Sequence, residues 1–269
     1  LASSSAASDV YKRQLLGIDV NRVSVLIGDT ATIGFSNLTG GSRVLFASAL
    51  VVTESTNQVI DILKDRASKI WNIDKEAIEW ENGEARPAGD NAGKFKPLSL
   101  VELAEQATPT GGPIGAGHQV NTVGAEGGFA THICDVEVDI ELGIARVIRY
   151  TAAQDVGKAI HPAYVEGQLQ GGVVQGIGWA LNEEYIYNKE GKLDNPGFLD
   201  YRIPVCSDLP MIDTILVEVP NPQHPQGVRG VGEVPIVPPL SAIANAIYNA
   251  IGTRSVSYTH LRAHETCPY

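Results

Sequence analysis

Three short stretches hold the residues whose types and spacing could do chemistry. In "GVRGVGEVPIVPP" (227–239), Glu233 is the one carboxylate in a run of glycines, prolines and aliphatic residues. An acid held in such a setting can act as a general base, because desolvation raises its pKa toward neutrality. The same composition also fits a solvated loop acid, or a charge near the start of a helix. In "EGQLQGG" (166–172), the amide of Gln168 can donate and accept hydrogen bonds at once. In "TGGSR" (39–43), Gly40, Gly41 and Ser42 suit a cradle of backbone N–H groups, and Arg43 could neutralise an anion. That stretch also fits an ordinary helix-entry loop with Ser42 as the cap.

These residues need elements to hold them. "TGGSR" is predicted to open a long amphipathic helix, with Ala49, Val52, Val59, Ile62, Leu63, Ala67 and Ile70 mostly at three- and four-residue steps. "RVSVLI" (22–27) reads as a strand before it. "AIEWENGEA" reads as strand with a tight turn at Asn82–Gly83, and "SLVE" (99–102) as a capping box. Val136, Val138 and Ile140 alternate with acids in one strand, and "IARVIRYTAA" returns as its partner. Residues 161–181 form a helix with Pro162 at its first position and glycines at 167, 171, 172, 176 and 178. Each interior glycine costs about 1 kcal/mol relative to alanine, so something must pack closely on that backbone. "EEYIYNKEGKL" and "MIDTILVEV" read as further strands, and "PLSAIANAIYNAIG" as a helix closed by Gly252. Strands and helices mix without regular βαβ alternation, so the expected class is α+β.

Composition excludes several functions. With 20 basic and 31 acidic residues in 269, the net charge is −11, which argues against a nucleic-acid groove. No apolar run is read as reaching the roughly 20 residues that span a bilayer. Cys134, Cys206 and Cys267 form no CxxC pair, which argues against a disulfide framework and against an iron–sulfur or zinc site in the chain. A cytoplasmic setting is expected. His260 and His264 are four residues apart, but Cys267 completes no ligand pattern with them.

Taken in order, "IGDTATIGFSNLTGGSR", "AAQDVGKAIHPAYVEGQLQGGVVQGIGWAL", "NPGFLDYRIP" and "GVRGVGEVPIVPPLSAIANAI" resemble the C-terminal part of the molybdopterin-binding large subunit of the xanthine dehydrogenase, aldehyde oxidase and aerobic carbon monoxide dehydrogenase family. The resemblance covers roughly residues 15–254. It implies a molybdenum hydroxylase that oxidises an aldehyde, an N-heterocycle or a similar small molecule with oxygen taken from water. Carbon monoxide oxidation on the same scaffold is the alternative, and a non-catalytic glycine-rich binding domain is another. On this resemblance Glu233 is the base that deprotonates a molybdenum-bound hydroxyl. Gly40, Gly41, Ser42, Arg43 and Gln168 contact the molybdopterin or its cytosine dinucleotide form. The metal is held by the pterin dithiolene and by no residue directly.

The resemblance further implies an iron–sulfur small subunit with 2Fe-2S clusters, an FAD-binding medium subunit, and a dimer of heterotrimers. The chain is expected to be a fragment, inactive alone, lacking the loop that sets substrate choice. The expected organisation is a non-native leader (1–14), a first αβ subdomain with the glycine-rich loop (15–107), a linker (108–118), a second αβ subdomain with the Glu233 loop (119–254), and a non-native tail (255–269). Gln175 is expected to be a structural neighbour of Gln168, His161 an N-cap, His224 a turn residue, and Asp155 a structural hydrogen-bond residue. Gly127, Gly128 and Phe129, after Glu126, are possible pocket wall.

Overall fold

The structure is a computed structural model that describes residues 14–26, 28–31, 34–36, 38–121 and 127–254. Glu126, His260, His264 and Cys267 lie outside the described residues, as do residues 1–13 and 255–269. The chain divides into two compact units between residues 124 and 125.

The first unit is built on one long helix, α1 (Arg43–Trp71). Besides Arg66, its buried residues, Phe46, Ala49, Thr53, Thr56, Leu63, Ala67 and Trp71, recur at three-, four- and seven-residue steps and so share one face. The strands β1 (Ile78–Glu81), β2 (Glu84–Pro87) and β3 (Leu98–Ser99) form an antiparallel sheet. Asn82 (φ 51°) and Gly83 (φ 80°) are both left-handed, as a two-residue hairpin turn requires. Ser99 and Glu102 form the capping box that starts α2 (Leu100–Glu105), with Ser99 N donating to Glu102 Oε2 at 2.8 Å. Leu63, Ala67 and Trp71 pack with Ile78, Ala85 and Leu103 into one core. Residues 107–110 form a short helix, α3 (Ala107–Thr110), and the Arg66 guanidinium donates to the Thr110 and Gly111 carbonyls at its end.

The second unit holds the strands β4 (Ala130–Asp139) and β5 (Ile144–Asp155), paired antiparallel with a bulge at Asp135/Val136. β6 (Ile212–Val217) pairs with β5 in parallel, Tyr150 opposite Ile212 and Asp155 opposite Val217. Parallel neighbours need a crossover. Here the crossover carries α4 (Pro162–Leu181). A final helix, α5 (Val237–Ile251), ends at Gly252 (φ 72°). The core joins Val147, Tyr150 and Ala152 of the sheet to Val173 and Ile177 of α4 and to Ile243 and Ile247 of α5. The whole is α+β, and β5–α4–β6 is one βαβ step that the strand pattern did not reveal.

Three expectations change. Residues 20–22 form a 3₁₀ turn and 23–26 form no strand. "EEYIYNKEGKL" is an irregular loop whose one ladder contact joins Tyr187 and Leu193. There the buried Asn195 side chain takes the place of a strand partner: its Oδ1 accepts from Ile186 N at 3.0 Å and its Nδ2 donates to Glu184 O at 2.7 Å. Third, Val234–Ile251 is long and apolar enough to cross a membrane by length and composition, with a mean hydropathy of 1.3. Its Ile243 and Ile247 instead pack in the core of the second unit.

Candidate active site

Helix α4 begins at Pro162, with His161 as the N-cap accepting from Tyr164 N through Nδ1 at 3.3 Å. Its glycines divide by what faces them. A Cβ added at Gly172 would stand 2.6 Å from Pro235 Cβ, and one at Gly176 would stand 2.5 Å from Pro239 Cβ. At Gly178 an added Cβ would meet Glu183 Oε1 at 2.2 Å and Pro204 Cδ at 2.6 Å. Added at Gly167 or Gly171 it would meet nothing within 4 Å. Prolines from the start of α5 and the 3₁₀ turn Val234–Ile236 thus seat into notches on α4 that only glycine leaves.

That seating fixes the segment carrying Glu233 from its C-terminal side. Upstream, Gly157 bridges Val228, and Lys158 N donates to Gly227 O at 2.8 Å. Glu233 therefore stands between two anchored points, directly before the 3₁₀ turn. Across from it, Gln168, Gly171, Gly172, Gln175 and Trp179 form one stripe of α4 at three- and four-residue steps. Together with Gly232, Glu233 and Ile236 they line a cavity of about 440 Å³. Its polar groups are two amides, one carboxylate and the bare backbone at Gly171. Among the described residues no group of three or more His, Cys, Asp or Glu could hold a metal ion.

Two expected site residues, Glu233 and Gln168, line this cavity together. Gln175, expected to be a structural neighbour, also lines it. The signal was available, since 168, 172, 175 and 179 share one helix face. Glu233 is exposed in this chain, so the water-excluding setting expected for it is not present here. Among its apolar neighbours in the chain, Pro235 is buried on α4, while Val231, Val234 and Ile236 are half-buried.

Gly40, Gly41, Ser42 and Arg43 belong to the first unit. Gly41 (φ 63°) and Ser42 (φ 58°) are both left-handed ahead of α1. That conformation costs a non-glycine residue such as Ser42 of order 1–3 kcal/mol. Ser42 occupies the N-cap position, but its hydroxyl makes no capping bond to the helix. Arg43 donates to Leu38 O at 3.4 Å.

Among the remaining candidates, Gly127, Gly128 and Phe129 do not line the cavity. An added Cβ at Gly128 would lie 3.5 Å from Val234 Cγ1. His224 is buried in its turn, where Nδ1 accepts from Gln226 N at 3.1 Å. Asp155 Oδ1 accepts from Gly157 N at 3.0 Å.

Residues 6–210 match the family model for the molybdopterin cofactor-binding domain. The chain belongs to the molybdopterin cofactor-binding domain family. It is 38% identical over 159 residues to the putative xanthine dehydrogenase molybdenum-binding subunit of Escherichia coli K12, covering 58% of this chain and 21% of that protein. It is 26% identical over 249 residues to the carbon monoxide dehydrogenase large chain of Hydrogenophaga pseudoflava, covering 91% of this chain and 31% of that one. The crystal structure of quinoline 2-oxidoreductase from Pseudomonas putida 86 superposes with a TM-score of 0.79 at 28% identity, over 92% of this chain and 32% of that one. The chain thus spans about a fifth to a third of the length of these relatives.

The cavity suits part of a molybdopterin. Gly171 has no side chain and open space before it, so a flat ring system can approach the helix backbone. Gln168 and Gln175 can serve both donor and acceptor edges of a pterin. A cavity of about 440 Å³ falls in the usual range for cofactor and ligand sites.

Proposed function

We propose that this chain forms part of the active site of a molybdenum-dependent hydroxylase, which oxidises an aldehyde, an N-heterocycle or a similar small molecule with oxygen from water. The observation that carries this reading is that Glu233 and Gln168 line one cavity along the glycine-notched face of α4. The bound cofactor would supply a two-electron acceptor and an activated oxygen. The chain's own residues do the rest. A Glu233 carboxylate oxygen takes up the proton released as the oxygen nucleophile attacks. The Gln168 amide orients the cofactor by donating and accepting at its polar edge, and Gln175 adds a second amide one to two turns along α4. Trp179 offers an aromatic wall suited to a planar ring. Gly40, Gly41, Ser42 and Arg43 supply backbone N–H groups and a cation for the cofactor's anionic part.

In this chain Glu233 is exposed, without cover from solvent. In the assembled enzyme that cover comes from the remainder of the large subunit. Electrons leave through an iron–sulfur subunit and an FAD-binding subunit, in a dimer of heterotrimers located in the cytoplasm.

The test is Glu233→Gln in the holoenzyme, with molybdenum and pterin measured alongside turnover. Loss of turnover by on the order of a hundredfold or more, with molybdenum retained, is expected. Unchanged turnover would remove Glu233 as the base. A holoenzyme without molybdenum or pterin would remove the hydroxylase reading altogether.

A further inference from the structure

Arg229 lies four residues before Glu233 and is buried in the second unit. Its Nε stands 3.1 Å from Asp155 Oδ2, in an ion pair whose side chains are 7% and 10% exposed. The same Nε donates to Val219 O at 3.3 Å, and Nη1 donates to Gly127 O at 3.1 Å. One guanidinium therefore ties together the end of β5, the chain just beyond β6, the strand entry at Gly127, and its own loop. Asp155 is itself fixed at both ends. Its Oδ1 accepts from Gly157 N, and its backbone N donates to Phe129 O at 2.8 Å.

The fit around this pair is close. A Cβ added at Gly157 would stand 2.4 Å from Gly227 O and 2.7 Å from Arg229 N. Asn221 Nδ2 donates to Val228 O at 3.4 Å, and Asn221 N donates to Gly227 O at 2.9 Å. The segment is thereby held up to Arg229. On the other side, Pro235 is seated against Gly172. Between these anchors lie only Gly230, Val231, Gly232, Glu233 and Val234. Two of the five are glycines, which leave the backbone loose unless its ends are held.

We infer that the Arg229–Asp155 pair is a positioning clamp that sets where the Glu233 carboxylate stands over α4. This rests on Glu233 being the base. Arginine suits the task because its planar fork can serve an acid and two carbonyls at once, where a lysine ammonium is a single point charge. A displacement of about 1 Å at a reacting group can cost on the order of a hundredfold in rate. A loosened clamp should therefore lower turnover more than it lowers stability or substrate affinity.

The experiment uses Arg229→Lys and Asp155→Asn in the holoenzyme, with Glu233→Gln as reference. Four quantities are read: turnover per bound molybdenum, KM, the melting temperature, and amide hydrogen exchange across residues 227–236. For Arg229→Lys the expected result is a fall of roughly tenfold or more in turnover per molybdenum. KM should stay within about twofold, since loss of an interaction made in the transition state lowers kcat and kcat/KM together. Exchange at Gly230–Glu233 should quicken. Asp155→Asn should move the same readouts in the same direction.

Turnover per molybdenum unchanged in both variants, with Glu233→Gln inactive, overturns the clamp and leaves the base reading standing. Loss of molybdenum and turnover in step assigns the pair to folding alone, which also overturns it. Lowered turnover without faster exchange at 230–233 overturns it as well. An active Glu233→Gln enzyme defeats the base reading itself.

Discussion

His132 shows how one side chain gives the second unit a dependence on pH. Its Nδ1 lies 2.9 Å from the buried Tyr150 hydroxyl, and the rings meet edge to face at 5.6 Å. Burial pushes the His132 pKa down to about 4. A histidine whose folded pKa lies below its unfolded value of 6.5 binds fewer protons folded than unfolded. Stability is then full above that value and declines as pH falls from 6.5 to about 4. Glu102 acts in a lower window, because the Ser99 backbone and hydroxyl, with Lys96, hold it near 2. Its contribution is present above its unfolded value of 4.5 and is lost as pH falls toward about 2. Melting temperatures from pH 8 to 3 check both. His132→Phe should flatten the fall between pH 6.5 and 4, and Glu102→Gln should lower the melting temperature above pH 4.5 and flatten the fall below it. An unaltered profile in His132→Phe would show that this histidine is not the titrating group.

Helix α4 carries opposite consequences at adjacent glycines. Gly171→Ala removes a helix-interior glycine where nothing lies within 4 Å, so it should stabilise by up to about 1 kcal/mol. The new methyl group enters the cavity, so pterin retention should fall. Gly172→Ala sets a Cβ 2.6 Å from Pro235 Cβ and 3.1 Å from its carbonyl carbon. Forcing the two elements apart costs about 1–3 kcal/mol and should outweigh the helix gain. Denaturant midpoints for the two variants should therefore move in opposite directions. A rise in both would mean that the turn Val234–Ile236 is not seated against this face. The buried ion pair at Arg229 fixes the other end of the loop that the prolines seat, against the end of β5.

At the scale of the whole chain, the two units divide the expected binding residues. The loop 40–43 lies in one and the Glu233–Gln168 cavity in the other. Association costs some 4–15 kcal/mol in lost translational and rotational freedom before any contact counts. Glu233, Gln168 and Gln175 are all exposed, and the chain spans 21% to 32% of the relatives compared above. Residues 15–254 expressed alone should accordingly hold little molybdopterin. Metal and pterin assay of the purified chain tests this, and tight stoichiometric binding would contradict it.

The sequence by itself determined the local pieces. The long helix α1, the Asn82–Gly83 hairpin, the Ser99–Glu102 box, the β4–β5 pair and the glycine-rich α4 depend on periodicity, capping and turn chemistry, which act between near neighbours. It also marked Glu233 and Gln168, because the stretches "GVRGVGEVPIVPP" and "EGQLQGG" resemble a known family's motifs and place an acid and an amide at the matching positions. Tertiary structure decided the rest. The parallel pairing of β6 with β5 depends on a crossover with no local signature. Asn195 replaced a strand partner through its side chain, so the "EEYIYNKEGKL" pattern did not become a strand. Which of the five α4 glycines receive a neighbour depends on where Pro204, Pro235 and Pro239 fall in space. The partnership of Arg229 with Asp155 joins residues 74 positions apart. No spacing rule reaches that far, because it is set by how the Glu233 loop returns over the end of β5.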